Sequence, residues 1–228
     1  FRSADEVAHL REIMDPALYA ALLDAGYVSF CLAGNGFAQI LSNQPVLSES
    51  DLRGRKVWVP EGDTVNYFVW RALNINASPL PLTDVLIGLQ TGLLDVVPVS
   101  PLGALFLQWH TQLEYVTDLP WAYEYGLLVM DAKAFGRISA PDRPIIAAAL
   151  NGAMYDFDSS GFPNSLEALQ ALTQQGSIQL VQTDPGFRAR LEETMHEATM
   201  KMIADGVLPK DLTLQALQNL EDYRAAAP

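Results

Sequence analysis

Three histidines (His9, His110 and His196), one cysteine (Cys31) and a few grouped carboxylates are the residues whose types could carry catalysis or hold a metal. Their spacing suits neither task. No histidine has a second histidine or a cysteine at the short separations from which a zinc site is assembled. His9 and His196 fall on amphipathic helical stretches, where a surface or interfacial position is expected, and for His110, which follows Trp109, a loop position facing water is the expectation. Glu192 with Glu193, and Glu221 with Asp222, are neighbours on helices and so project to different faces. Asp156 and Asp158, beside Ser159 and Ser160, have the composition of a calcium loop without its glycine and closing glutamate, and a surface helix end is the expectation. There is no G-x-S-x-G elbow and no phosphate-binding loop. Cys31 lies in the apolar run from Tyr27 to Ala33, where cysteine acts as a small buried hydrophobe, and it lacks a partner for a disulfide. The residues therefore point away from an enzyme, a metal site or a cofactor site.

Aromatic residues carry more information than the charges. Trp58 sits in Val57–Pro60, a short apolar run closed by a proline, and Trp121 and Tyr123 follow Pro120 in P-W-A-Y-E-Y. The elements that must position them alternate in type. The chain opens with an S-x-x-E capping box, Ser3 and Glu6, ahead of Val7, Leu10 and Met14, and Asp15-Pro16 is expected to start a second helix closed by Gly26. Tyr27 to Ala33 reads as a strand, Gly34-Asn35-Gly36 as a turn, and Phe37 to Leu41 as a second extended run. Asp51 to Asp95 then reads strand, helix, strand, helix, strand, with Thr83 and Asp84 as a helix cap and Gly92 as its end.

Leu94 to Val99 is a strand ending near Pro98, Pro101 to Trp109 a short helix, and Leu113 to Val116 another strand. Gly126 to Met130 is a further buried strand. A helix with the apolar stripe Ile145, Ile146, Ala149, Leu150 and Met154 follows, to be broken or kinked by Gly161 and Pro163. Ile178 to Val181 is a strand, and helices from Pro185 to Ala204 and Leu212 to Tyr223 close the chain. This alternation predicts an α/β fold in which ligands bind beyond the carboxyl ends of strands, near Trp58 to Pro60 and Val97 to Ser100.

Composition limits the partners. A formal net charge of −13 argues against nucleic acid, whose binding needs Lys and Arg to displace counterions, and disfavours anionic membrane surfaces. Arg, Asp, Gln or Pro interrupts every apolar stretch before it reaches the length of a membrane span, so a soluble chain is expected. The sequence carries no basic and apolar export segment ahead of Phe1, which is compatible with a processed protein.

The central stretch resembles a known family. Asp51, Leu52, Gly54, Lys56, Val59 and Pro60 match a D-L-K-G-x-K-[IL]-R-V-P signature, and Val85, Leu89, Gln90, Gly92 and Asp95 match a V-Y-x-A-L-Q-x-G-x-[VI]-D-G segment. Both belong to the solute-binding proteins of tripartite ATP-independent periplasmic (TRAP) transporters, which the chain is identified as resembling along most of its length. The resemblance implies a two-lobed, type II-like periplasmic-binding-protein fold whose lobes close over a ligand, and it implies that the N-terminal portion of the first lobe is missing here. It divides the chain into residues 1–35 in the first lobe, 36–119 in the second, 120–162 returning to the first with a long helix, and 163–228 as helices packing on the second lobe and hinge.

Measured against that family, three polar features have become apolar. Trp58 stands at the strand arginine that would clamp a carboxylate by a two-point contact. Ala38, in Gly36-Phe37-Ala38, stands at a second arginine, and there is no Arg from Phe30 to Leu52. Val96 to Ser100 replaces a polar D-G-Q-E-N motif. An apolar pocket would leave a carboxylate desolvated and unpaired, at a cost on the order of several kcal/mol. By this resemblance Phe37, Ala38, Trp58, Val97, Val99, Ser100, Trp121 and Tyr123 line the ligand site, with Ser100 giving one directional hydrogen bond. Trp58 serves equally well as a core residue.

The implied function is a monomeric periplasmic receptor that captures a neutral or hydrophobic, lipid- or sterol-like ligand and delivers it to a membrane transporter. Two alternatives stand beside it: a ligand-free, partner-binding module of a transport system, and a receptor for a small organic acid held by a different clamp. A hydrolytic or transferase enzyme would need Ser100 and His110 within hydrogen-bond reach in a pocket.

Overall fold

The computed structural model describes residues 1–174 and 176–226, the side chain of Phe162 excepted. In chain order the elements are α1 (Ala4–Asp24), β1 (Tyr27–Ser42), α2 (Glu49–Leu52), β2 (Val57–Pro60), α3 (Thr64–Ala72), β3 (Ala77–Leu80), α4 (Val85–Gln90), β4 (Val96–Val99), α5 (Pro101–Phe106), β5 (Tyr115–Asp131), α6 (Ala132–Gly136), α7 (Asp142–Gln174), β6 (Gln179–Val181), α8 (Phe187–Ala204) and α9 (Lys210–Ala226). They form two compact units. Residues 1–36, 123–164 and 214–228 make the first, and residues 37–122 and 165–213 the second. β1, β5, α7 and α9 each pass from one unit into the other. Among the described residues no helix is long and apolar enough to cross a membrane.

The second unit is an α/β layer structure. The strands lie in the order β3-β2-β4-β1-β5-β6. β2 pairs in parallel with β3 and β4, β1 runs antiparallel to β4 with Gln39 opposite Val99, and β5 runs parallel to β6. Period-two alternation distributes the apolar side chains. Ala38, Ile40, Val57, Val59 and Val96 join one cluster with Trp70 and Leu73 of α3 and Phe187, Leu191 and Met202 of α8. Leu41, Trp58, Val97 and Val99 join a second with Val85 and Leu89 of α4, Ala104 of α5 and Trp109. Both faces of these short strands are thus buried, which is why β2 and β4 read as unbroken apolar runs rather than alternating ones.

In the first unit, α1 carries Val7, Leu10 and Met14 inward, and the Ser3 hydroxyl accepts a hydrogen bond from the Glu6 amide at 3.3 Å, as the capping signature predicts. The C-terminal turn of α9 packs on this end of α1. Glu6, 5% exposed, accepts two bonds from the Arg224 guanidinium at 2.7 and 3.0 Å and one from the Arg2 amide at 2.7 Å, and the His9 and Tyr223 rings stack at 4.4 Å. His9 is therefore a packing residue of the helix pair.

Four expected interruptions do not occur. α1 continues through Pro16 and α7 through Gly161 and Pro163. β1 runs through Gly34-Asn35-Gly36 without reversing, and β5 joins the two stretches expected as separate strands into one of 17 residues. In α1 the ion pair of Arg11 with Asp15, at 3.2 Å, spans the turn that the proline weakens. In β1 the glycines serve close approach instead of chain reversal. A Cβ on Gly34 would collide with the Tyr123 hydroxyl, and one on Gly161 with the Gly34 carbonyl oxygen.

Candidate ligand site

Of the residues singled out from the sequence, Trp58, Val97 and Val99 share one buried cluster near the carboxyl ends of β2 and β4, and Ser100 follows β4 directly. Trp58 is 5% exposed. Its indole N–H donates to the Leu80 carbonyl at 3.0 Å, an oxygen that also accepts from the Glu61 amide at 3.2 Å, and its ring meets Trp109 edge-on at 5.1 Å. The side chain is thus fixed against the second cluster, with Val97 and Val99 as neighbours in that cluster. Ser100 is fully buried and caps α5, its hydroxyl accepting from the Gly103 amide at 3.3 Å. Pro101 follows at the first helical position, where its missing N–H costs nothing.

Ala38 and Trp121 belong to the opposite face of the same sheet. Trp121 stacks flat on Trp70, 3.9 Å between ring centroids and 6° between planes, and its indole N–H donates to the Asn66 side-chain oxygen at 3.2 Å. Asn66 is itself held by Asp63, the N-cap of α3, through its amide at 3.0 Å and its side-chain nitrogen at 2.7 Å. Phe37 is half-buried on β1. Next to Ala38, Gln39 is 9% exposed, and its side-chain oxygen is buried without a hydrogen-bond partner among the described residues. Tyr123 lies in the first unit, its ring over Gly34 and edge-on to Tyr125 at 5.2 Å. Burial pushes the Tyr123 hydroxyl above the ordinary tyrosine value, with Arg11 offsetting part of that rise.

The residues first considered for chemistry are dispersed. His110 bonds through Nδ1 to the Ala104 carbonyl at 3.1 Å, which makes Nδ1 the protonated nitrogen, since a carbonyl only accepts. It lines an open cavity of about 550 Å³ with Thr111, Gln112, Leu113, Glu114 and Ser177, a set that does not include Ser100. Cys31 is half-buried rather than enclosed, and burial pushes its thiol up. Among the described residues no three His, Cys, Asp or Glu side chains are placed to hold a metal ion.

Asp158 departs from its expected role as a solvated helix end. Its Oδ1 accepts from Arg11 at 2.6 Å and from the Gly34 amide at 2.7 Å, and both charged side chains are about one-fifth exposed, 18% and 20%. Partners 147 positions apart leave no local signal in the sequence. Gln39 and Asn66 were likewise missed, since an isolated amide in an apolar strand or helix has no motif.

The architecture is that of a two-unit α/β solute-binding protein. Residues 1–205 match the bacterial extracellular solute-binding proteins of family 7 (DctP), and the chain belongs to that family. It is similar in fold to TRAP periplasmic solute-binding proteins of Haemophilus influenzae, with bound L-gulonate (18% identity, TM-score 0.86), and Shewanella oneidensis, with bound succinate (20%, 0.86). A third, from Desulfovibrio salexigens with bound orotic acid, shares 15% identity at a TM-score of 0.83. In each comparison 96% of this chain is covered, against 71–72% of the solved chain.

Proposed function

We propose that the chain is the solute receptor of a tripartite periplasmic transport system and hands a neutral or predominantly hydrophobic ligand to membrane subunits. A sterol or another polycyclic lipid with one hydroxyl represents that class. The ligand class rests on the resemblance, by which Ala38 and Trp58 stand at the two positions where the family pattern has arginine. Trp58 also supports it by how it is held. Its one donor is committed to Leu80 and its ring to Trp109, so it offers a carboxylate no counter-charge. In this reading the apolar residues of the second unit are Phe37, Ala38 and Trp121, the last two on one face of the sheet, and Val97 and Val99 on the other, with Trp58 as backing and Ser100 and Gln39 as the polar groups nearest in sequence.

A second reading has one observation in its favour. The similar solved proteins carry L-gulonate, succinate and orotic acid, so a small organic acid held by neutral donors in place of the arginines is the alternative ligand class. Mass spectrometry of an organic extract from gently purified protein separates the two. A hydrophobic compound at near one molecule per chain is the expected result. A carboxylic acid at that stoichiometry would transfer the assignment to the second reading, and failure of both extraction and solute screening would favour a partner-binding module.

A further inference from the structure

We infer that Asp158, oriented by Arg11, is a releasable latch on β1 at Gly34, and that the glycine segment Gly34–Gly36 is the point at which this strand pivots. The inference is independent of ligand class. Three amides in this part of β1 donate to side chains of α1 and α7. The Cys31 amide donates to Asn151 of α7 at 2.9 Å, the Leu32 amide to the Tyr19 hydroxyl of α1 at 2.9 Å, and the Gly34 amide to Asp158 of α7 at 2.7 Å. A bond to a side chain can open by rotation of that side chain, whereas a ladder bond opens only with its strand pair. These three bonds are therefore releasable without unzipping the sheet.

The Gly34 bond is the controlled one of the three. Asp158 also takes the Arg11 guanidinium at 2.6 Å, and Arg11 is fixed in turn by Asp15 at 3.2 Å and by the Leu32 carbonyl at 2.5 Å. The same guanidinium lies 5.4 Å from the centre of the Tyr125 ring. One arginine thus sets the carboxylate that sets the strand, in the fork geometry that lysine cannot reproduce. Backbone freedom is concentrated at the same place. Gly36 has φ of +94°, a region L side chains rarely adopt. Gly161 allows α7 and β1 to cross backbone to backbone, its Cβ position lying 3.0 Å from the Gly34 carbonyl carbon and 3.2 Å from the Asn35 Cα, while the missing side chain of Gly34 makes room for the Tyr123 ring. β1 leaves the first unit immediately after Gly36, so the latch fixes the strand just before it carries Phe37 and Ala38 onward.

Hydrogen–deuterium exchange resolved at single amides, on the full chain without added ligand, tests this. Asp158→Asn keeps the side-chain shape and removes the charge that pairs with Arg11, and Arg11→Lys keeps the charge and removes the fork. Each should speed exchange at Gly34 by about tenfold or more, with Ile40 and Leu41 further along β1 and the amides of α1 unchanged. Unchanged exchange at Gly34 in both variants overturns the latch. So does a uniform rise across α1, β1 and α7, because that reports general loss of stability instead of local release. Neither result bears on the ligand, which the extraction experiment reads separately.

Discussion

Trp58 concentrates the question of ligand class in one side chain. It is nine-tenths or more enclosed, hydrogen-bonded through its single donor and packed on Trp109. An arginine here would place a guanidinium among Val97, Val99 and Trp109, with the Leu80 carbonyl as its available acceptor. The desolvation of an unpaired charge makes Trp58→Arg destabilising by on the order of several kcal/mol, to be read as a lower midpoint in urea denaturation. Retained stability together with new carboxylate binding would show instead that the position opens onto a polar pocket. Glu6 supplies a second prediction at this scale. Burial raises its pKa, but the Arg224 guanidinium and the Arg2 amide outweigh that and bring it below the ordinary value of 4.5. A depressed carboxylate stabilises the fold above the unfolded value and loses that contribution as pH falls through the folded one. Glu6→Gln should therefore cost about 2 kcal/mol near neutral pH and flatten the fall in stability below about pH 4.5, both measurable from thermal midpoints across a pH series.

At the scale of elements, burial of β2 and β4 on both faces was legible because three or four consecutive apolar residues flanked by Gly and Pro admit little else. The continuity of β1, β5, α1 and α7 was not, because Gly and Pro read locally as punctuation and only tertiary contact reveals when they serve as clearance. Gly161 decides this for α7. Its missing side chain admits the Gly34 carbonyl, so Gly161→Ala must push α7 and β1 apart at their crossing. An overpacking cost of about 1–3 kcal/mol is expected, opposite in sign to the gain that alanine normally brings inside a helix. Gly152→Ala on the same helix meets nothing within 4 Å and should be neutral or stabilising, so chemical denaturation of the two variants side by side isolates the crossing. The same reasoning explains the incomplete view of the site. Trp58, Val97, Val99 and Ser100 were singled out because they sit in two apolar strand ends at family spacing. Asn66, which holds Trp121, and the pair of Arg11 with Asp158 depend on contacts between distant stretches of chain.

For the molecule as a whole, a receptor is defined by what stabilises it. A ligand that binds only the folded chain adds RT ln(1 + [L]/Kd), about 2.7 kcal/mol at a hundredfold excess. For a chain of 228 residues that corresponds to a rise in Tm of about 5–10 °C. Succinate, L-gulonate and orotic acid should each leave Tm unchanged in extracted protein at about 1 mM, a hundredfold excess over a Kd of about 10 μM. Ala38 and Trp58 carry no charge that could offset carboxylate desolvation, and a net charge of −13 disfavours anion approach as well. The compound recovered by extraction, added back at the same excess, should produce the full rise. Lowering the ionic strength sharpens the comparison, because repulsion of an anion strengthens as screening weakens while uptake of a neutral ligand is indifferent to it. A Tm rise with any of the three acids would reverse the assignment and locate the carboxylate's partner at positions other than Ala38 and Trp58.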